Sequence, residues 1–285
     1  ENPNAPATFQ YNFKDTLNFC DDLVEFQIRV EDTIEGHISG SNYAMGRFSD
    51  KINGDILDIN LVTISNGLAT LDWSPTTSGD VVEYDVLFND PINGWSTVDV
   101  VPVGTPMPYV WANSMATTRS EEFKVVSKDS CDNISDISLV VSHQTIHLNA
   151  KLNRCDGIVK LGWNFYEGFT AGVGGYNLFM TVDNAAPVLV FTGTDQDSNF
   201  IKDNLITGSE YCFYIEAYDV NNLRVSTSNE SCIIADVPKK SKILYLASVS
   251  NNYLRESIDL KTFVDGDADV LSYDIERSTE ENGVY

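Results

Sequence analysis

The sequence is poor in basic residues, and this limits the partners that the protein can have. It holds 18 Lys and Arg against 42 Asp and Glu, a formal charge of −24 over 285 residues. Such acidity makes nucleic acid a poor partner, since phosphate binding needs a basic surface, and it opposes docking on an anionic membrane. No run approaches the roughly 18–20 apolar residues of a membrane span. We therefore expect no nucleic-acid partner and no membrane insertion.

The motifs of common catalytic and metal sites are also missing. There is no Gly-x-Ser-x-Gly elbow, no phosphate-binding glycine loop and no Cys-x-x-Cys pair. The three histidines are His37, His143 and His147. His143 and His147 lie four residues apart, a spacing that could hold a metal on a helix. We interpret His143 instead as a solvated linker residue and place His147 on a strand. We expect no catalytic, cofactor-binding or metal-binding residues, and no enzyme.

One acidic run deserves comparison with a calcium loop. Asp265, Asp267 and Asp269 alternate with small residues and could offer oxygens to calcium. The run lacks the downstream acidic ligand of an EF-hand and lies in a predicted loop. A solvated turn is the favoured interpretation, with calcium as the alternative, and no cofactor is expected.

What the sequence does contain is apolar alternation. Val159, Leu161 and Trp163 recur at period two, and residues 123–127 and 211–217 follow the same pattern. Such runs predict strands with one buried face. Turn pairs such as Asn-Gly and Gly-Gly separate them, and helical stripes of useful length are absent. The pattern predicts an all-β protein of antiparallel sandwiches.

Aromatic residues repeat at the length of one sandwich. Trp163 follows Trp73 by 90 residues, and Tyr176 follows Tyr84 by 92. A third matching position holds Phe26, Phe123 and Tyr211. A period of about 90–100 residues is the length of one sandwich module. We predict a structural core rather than a binding site, made of Trp73, Tyr84, Phe123, Trp163, Tyr176 and Tyr211.

The repeats divide the chain into four parts. Residues 53–144 and 145–236 are predicted to be complete modules, 1–52 the C-terminal part of a module, and 237–285 the N-terminal part of another. The strands expected in the two partial modules are 9–13, 23–31, 41–48, 243–249, 257–264 and 271–277. A half sandwich cannot bury its apolar face. We therefore expect the chain to be a segment of a longer protein, or its terminal halves to pack on something else.

A family likeness follows from these positions. Trp on the second strand, Tyr on the third and Gly208-Ser-Glu-Tyr211 opening the sixth resemble a fibronectin type III module. The resemblance implies tandem fibronectin type III or immunoglobulin-like β-sandwiches. It also implies a tyrosine corner, in which the Tyr211 hydroxyl bonds back to nearby backbone.

A finer likeness covers most of the chain. It is densest in 128–135, 143–148, 161–166, 211–217 and 228–232. These segments are similar to the fibronectin-like modules of Bacteroidetes surface proteins that carry gliding-motility-associated C-terminal regions. The resemblance implies export across the outer membrane by the type IX secretion system and a cell-surface or secreted location.

The cysteines suggest two cross-links. Cys212 and Cys232 each lie ten residues from the turn at Asn222, so a simple hairpin places them opposite each other. Because neighbouring residues 211 and 213 point inward, this pair would lie on the outer face. We favour a disulfide there, since exported proteins meet an oxidising compartment. The alternatives are two separate free thiols and a bond from Cys155 to Cys212 between sheets.

The second predicted cross-link joins two modules. Cys131 lies in the last hairpin loop of its module, and Cys20 lies just before a sixth strand. In modules strung end to end, these two ends would be close, and a Cys20–Cys131 bridge would stiffen the joint. Free thiols are the alternative. An odd number of cysteines leaves at least one thiol free or paired outside the chain.

These observations favour a non-catalytic stalk or adhesion segment of an exported surface protein, linked with gliding motility or adhesion. The alternatives are a component bound to an outer-membrane secretion or motility machine, and accessory modules of an exported hydrolase. The expected partners are other modules of the same long chain, outer-membrane secretion or motility proteins, or surface glycans. Trp95 and Trp111 lie outside the matching positions, and we expect both to be packed rather than displayed for a glycan.

Overall fold

A computed structural model describes residues 20–33 and 35–279 of the chain. Within these ranges the protein is all-β, with strands that pair antiparallel in every sheet. The same described residues include no helix with the length and apolar character needed to cross a membrane. The predicted all-β fold is therefore confirmed.

The described part of the chain begins with two antiparallel ladders that we call the N-terminal hairpins. They consist of β1 (Asp21–Phe26), β2 (Arg29–Glu31), β3 (Ile38–Gly40) and β4 (Ala44–Ser49). β1 pairs with β4, and β2 pairs with β3 nearer the turn. β1 and β2 overlap the strand region predicted at 23–31, and β4 overlaps the one predicted at 41–48, whereas β3 was not predicted. The strand predicted at 9–13 lies outside the described residues.

The first complete unit, the first sandwich, is built from seven strands. They are β5 (Ile59–Ser65), β6 (Leu68–Trp73), β7 (Val81–Asp90), β8 (Gly94–Pro102), β9 (Tyr109–Val110), β10 (Glu122–Asp129) and β11 (His143–Gln144). One sheet has the order β5-β6-β9 and the other β11-β10-β7-β8. The β5–β6 turn uses Asn66 and Gly67, both at positive φ (50° and 79°). Asn-Gly suits such a tight hairpin turn because both residues tolerate the left-handed region.

The second sandwich repeats this plan. Its strands are β12 (Leu148–Asn153), β13 (Ile158–Trp163), β14 (Val173–Val182), β15 (Val188–Gly193), β16 (Asn199–Lys202), β17 (Glu210–Asp219), β18 (Val225–Thr227) and β19 (Ser231–Ile234). The sheets are β12-β13-β16 and β15-β14-β17-β18, with β19 also pairing β17. The seventh strand is thus broken into β18 and β19. The break at 228–230 shifts the register by one residue.

The last part is a hairpin of β20 (Leu244–Asn252) and β21 (Ser257–Val264). The third strand predicted at 271–277 is wrong, since this segment has no regular structure and Leu271 is fully exposed. Its alternating pattern is suitable for a strand. A strand also needs a neighbour to accept its backbone hydrogen bonds, and no described strand lies beside 271–277.

The two sandwiches lie side by side along β5. β18 of the second sandwich runs beside β5 of the first, and Leu61 of β5 packs against the second sandwich's core. The expectation of modules strung purely end to end is therefore wrong for this pair. The cause is the exposed edge of β5, because a neighbouring module that covers an open edge strand satisfies its backbone groups.

Candidate functional site

Hydrogen bonds to the backbone of Val62 are central to the joint between the two sandwiches. Val62 lies in β5, the edge strand of its sheet, and is fully buried. Its N–H donates to the Tyr166 hydroxyl at 3.1 Å, and its carbonyl accepts from Ser226 Oγ at 2.7 Å. Both partners belong to the second sandwich. The free edge of the first sandwich is thus completed by side chains of the second.

Two further contacts extend this seam along β5. Thr227 N–H donates to Thr63 Oγ1 at 2.9 Å. The Arg224 guanidinium donates to Asn60 Oδ1 at 2.9 Å. Together with the two Val62 bonds, these contacts tie three residues of β5 to the second sandwich. A joint with this many directional bonds favours one angle between the two sandwiches.

A buried histidine lies at the same joint. His143 is 1% exposed, and its Nδ1 lies 3.1 Å from the Tyr166 hydroxyl. Gly168 packs so closely on the imidazole that any Cβ there would collide with the ring. Burial, and after it the positive charge of Arg224, lowers the pKa of His143 to about 4. The interpretation of His143 as a solvated linker residue is therefore wrong, because the second sandwich folds back over it.

The side chain of His147 is partly buried. It lies directly before β12, and burial lowers its pKa, opposed by a hydrogen bond with the backbone of Thr117. The two histidines four residues apart therefore have separate surroundings. No group of potential metal ligands found among the described residues includes either of them.

Removing the Tyr166 hydroxyl should weaken the joint. In Tyr166→Phe, the buried Val62 N–H and His143 Nδ1 both lose their partner, and we expect a loss of about 1–3 kcal/mol in the free energy of unfolding. Faster hydrogen exchange at the Val62 amide would locate the effect in the joint. Tyr109→Phe is the matched control, because its hydroxyl bonds the exposed Asp99 at the surface. An equal loss in the control would contradict the assignment.

The residues predicted to form the structural core lie inside the two sandwiches. Trp73 and Tyr84 meet edge to face at 5.7 Å in the first, and Trp163 and Tyr176 at 5.9 Å in the second. Each of these tyrosines accepts a backbone N–H, from Thr76 and Tyr166 respectively. The six side chains are between 0% and 6% exposed: Trp73, Tyr84, Phe123, Trp163, Tyr176 and Tyr211. Trp111 is buried too, while Trp95 is partly buried against the outer face.

A tyrosine corner is present in the second sandwich. The Tyr211 hydroxyl accepts the N–H of Ile206 at 2.9 Å. This hydrogen bond closes the turn that leads into β17, because it joins the Tyr211 hydroxyl to the backbone five residues upstream. The first sandwich has Phe123 at the matching position, which lacks the hydroxyl.

Cys212 and Cys232 form a disulfide on the outer face of the second sandwich. They are directly opposite in the β17–β19 ladder, with Cα atoms 4.0 Å apart. The one-residue shift at 228–230 is what brings them into register. Cys155, the alternative partner, is exposed and unpaired.

Cys20 and Cys131 form the second disulfide, between the N-terminal hairpins and the first sandwich. Their Cα atoms are 4.8 Å apart. Close by, the Asn133 amide donates to the Asp50 carbonyl at 3.4 Å. This end of the first sandwich is therefore attached to the preceding segment by a covalent link.

The cysteine pairing makes a stoichiometric prediction. The native chain should react with one equivalent of an alkylating reagent, at Cys155, and with five after reduction and unfolding. Peptide mapping without reduction should yield two linked pairs. More than one alkylation of the native, folded chain would contradict the pairing.

One group of three aspartates comes nearest to a metal centre among the described residues. Asp50, Asp80 and Asp129 bring carboxylate oxygens within 4.8 Å of one another beside the Cys20–Cys131 disulfide. The Asp129 carboxylate already accepts bonds from Cys131 and Asn133. Sequence reasoning missed this group, because its members are far apart along the chain and each lies in an ordinary turn.

In the acidic run considered for calcium, Asp265 and Asp269 accept hydrogen bonds from backbone N–H groups. Asp265 accepts from the N–H of Lys242 at 2.5 Å, and Asp269 from the N–H of Lys239 at 2.9 Å. Asp267 lies 3.4 Å from the Lys239 ammonium. These bonds fasten the loop after β21 to the segment before β20. The carboxylates therefore have protein donors as partners.

Comparison with known structures gives distant likenesses. The chain is similar to the FN1–FN3 domains of chicken CNTN1, with 19% identity over 74% of this chain and 77% of that one (TM-score 0.26). It is also similar to a segment of two fibronectin type III domains from chicken tenascin, with 13% identity over 62% and 97% (TM-score 0.26). A third is pectate lyase Pel3 from Pectobacterium carotovorum, at 17% identity (TM-score 0.27).

The likeness to the lyase covers 34% of this chain and only 30% of that enzyme. No protein-family model and no curated protein matches the chain. At such low TM-scores, none of the likenesses supports an argument, so the fold class rests on the strand order. In both units a three-stranded sheet packs on one in which the third strand lies between the fourth and the sixth. Both units are fibronectin type III-like sandwiches.

Proposed function

We propose that the chain is a non-catalytic, rigid segment of a modular surface protein. The seam along β5 is the observation that carries this proposal. Three residues of β5 are hydrogen-bonded across it, and Leu61 is packed against the neighbouring core. A rigid pair of modules transmits position and force, which is what a spacer has to do. The high negative charge keeps such a surface soluble and opposes self-association.

The proposal extends to location and export. Disulfides persist in oxidising compartments and are rare in the cytosol, so the two disulfides support an extracellular location. The likeness of 128–135, 143–148 and 211–217 to Bacteroidetes surface modules supports export by the type IX secretion system and a part in gliding motility or adhesion. The partners that fit this role are other modules of a longer chain and outer-membrane secretion or motility proteins. No resident cofactor belongs to it.

The rigidity can be measured as a distance distribution. Spin labels at Val103→Cys and Val188→Cys, in a Cys155→Ser background, place one exposed probe on each sandwich. We expect a single narrow distribution. The pair Val188→Cys and Ile206→Cys has both labels on the second sandwich. Its distance distribution gives the reference width for labels within one rigid body. A distribution across the joint that is much broader than this reference would overturn the rigid segment.

Export is tested in the source bacterium. Antibodies against the second sandwich should label intact cells, and the labelling should disappear when the type IX translocon is disrupted. Labelling that persists without the translocon would remove this route from the proposal. Labelling found only after lysis would remove the surface location itself.

A further inference from the structure

A groove on the outside of the joint has features of a ligand site. It lies where the β5–β6 turn and Thr117 of the first sandwich face Tyr214 and residues 227–230 of the second. Its volume is about 420 Å³, within the range of small-molecule sites. The hydrogen bonds of the seam along β5 join both walls, so the groove rests on the rigid joint proposed above.

The broken seventh strand opens this groove. Ser228 and Asn229 are buried and turn their side chains inward, where Ser228 Oγ accepts the N–H of Ile215 and Asn229 bonds the N–H and carbonyl of Leu148. The backbone therefore bulges between β18 and β19, although the Ser228 N–H still donates to the Ile215 carbonyl at 2.9 Å. The face of the sheet at Tyr214 stays accessible from the joint.

Tyr214 is held as a flat platform beside the groove. It lies directly opposite Phe179 in the β14–β17 ladder, and the two rings stack with centroids 5.0 Å apart and planes 10° apart. Burial raises the pKa of Tyr214, and the carboxylates of Glu216 and Glu230 raise it further. The phenol is therefore a neutral hydroxyl that can donate a hydrogen bond.

Four polar groups around the platform make no hydrogen bond with the described part of the chain. The Tyr214 hydroxyl, the Glu230 carboxylate, the Asn66 amide and the Thr117 hydroxyl have no hydrogen-bond partner within 20–33 and 35–279. They include donors and acceptors within one groove. A ligand that suits this groove has an apolar face to pack on the Tyr214 ring. Its edge carries groups that both donate and accept hydrogen bonds.

We propose that this groove binds a neutral oligosaccharide, with one pyranose ring on Tyr214 and its hydroxyl groups bonded to Glu230, Asn66 and Thr117. A pyranose presents C–H bonds on its face and hydroxyls at its edge, which matches both requirements. An acidic glycan would be repelled by Glu216, Glu230 and the net charge of −24. A purely apolar ligand would desolvate Glu230 without giving it a partner. This inference does not depend on the route of export.

The test is binding of the intact chain to an immobilised panel of neutral oligosaccharides and matched uronic-acid oligosaccharides. We expect retention of neutral members only. The tightest of them is then titrated against variants by calorimetry. Tyr214→Ala should lower its affinity by about tenfold or more, the effect of truncating an aromatic anchor. Tyr253→Ala, which removes an 85% exposed ring from the turn of the C-terminal hairpin, should leave affinity unchanged.

Two conservative variants, Tyr214→Phe and Glu230→Gln, separate the role of the aromatic ring from the roles of the hydroxyl and the carboxylate. Tyr214→Phe keeps the ring and should lose less affinity than Tyr214→Ala. Glu230→Gln keeps an acceptor and should weaken a neutral sugar by a few fold, whereas it would abolish binding of a cation. An unchanged thermal midpoint in each variant shows that the fold is intact. Failure to retain any neutral oligosaccharide, binding of acidic members or of choline alone, or equal affinity in Tyr214→Ala would overturn the proposal.

Discussion

Replacing Trp163 with alanine is expected to lower the free energy of unfolding of the second sandwich by about 3–5 kcal/mol. The indole is 6% exposed and lies 5.9 Å from the ring of Tyr176 and 6.4 Å from that of Phe191. Its N–H has no hydrogen-bond partner among residues 20–33 and 35–279. The loss therefore comes from packing and from the cavity left behind. Chemical denaturation followed by circular dichroism measures it.

Trp95→Ala is the matched control for this experiment. Trp95 is partly buried on the outer face of the first sandwich, with the Lys124 ammonium 5.1 Å from its ring centroid. A ring that stays partly in solvent contributes less on folding, so we expect a clearly smaller loss. A shift of less than a degree in the thermal midpoint of Trp163→Ala would contradict its place in the core.

The second large effect is a loss of stability in mild acid caused by His143. Its pKa is about 4 in the folded protein against 6.5 in an unfolded chain. As pH falls below 6.5, the unfolded state takes up the proton first, so the stabilisation present above 6.5 is lost progressively down to about 4. The difference between the two pKa values corresponds to roughly 3 kcal/mol.

His143→Gln isolates this contribution. Glutamine keeps hydrogen-bonding groups near the Tyr166 hydroxyl but does not titrate. Free energies of unfolding measured at several pH values should converge for the two proteins as pH falls from 6.5 to 4, because only the wild type loses the His143 contribution. His147 titrates in both proteins, so its effect cancels in the difference. Two parallel curves would show that His143 is not the responsible group.

The sandwiches could be predicted because their signals are local. Val159, Leu161 and Trp163 alternate in β13, and the alternation predicted over 211–217 becomes the alternating burial of β17. The repeat of aromatic residues locates both cores, since a core position has the same place in each module. The Cys212–Cys232 pairing was predicted from equal distances to Asn222, and the one-residue shift at 228–230 is what gives the ladder that register.

The joint could not be predicted in the same way. Ser226 and Val62 are 164 residues apart, and neither Ser226 nor Thr63 stands out in its local sequence. His143 lies among polar neighbours and has the pattern of a linker until the second sandwich covers it. Conversely, 271–277 has a strand pattern without a described partner strand. Contacts between modules depend on which edges meet, and periodicity within a module does not encode that.

The coverage of β5 has a consequence for how the chain matures. During synthesis the first sandwich is complete before Ser226 and Tyr166 have been made, so its β5 edge passes through an interval with unpaired N–H and carbonyl groups. An open strand edge is a template for unwanted pairing with another chain. Severing the polypeptide between residues 144 and 145 would make that interval permanent. The shorter product is expected to aggregate where the intact pair stays monomeric.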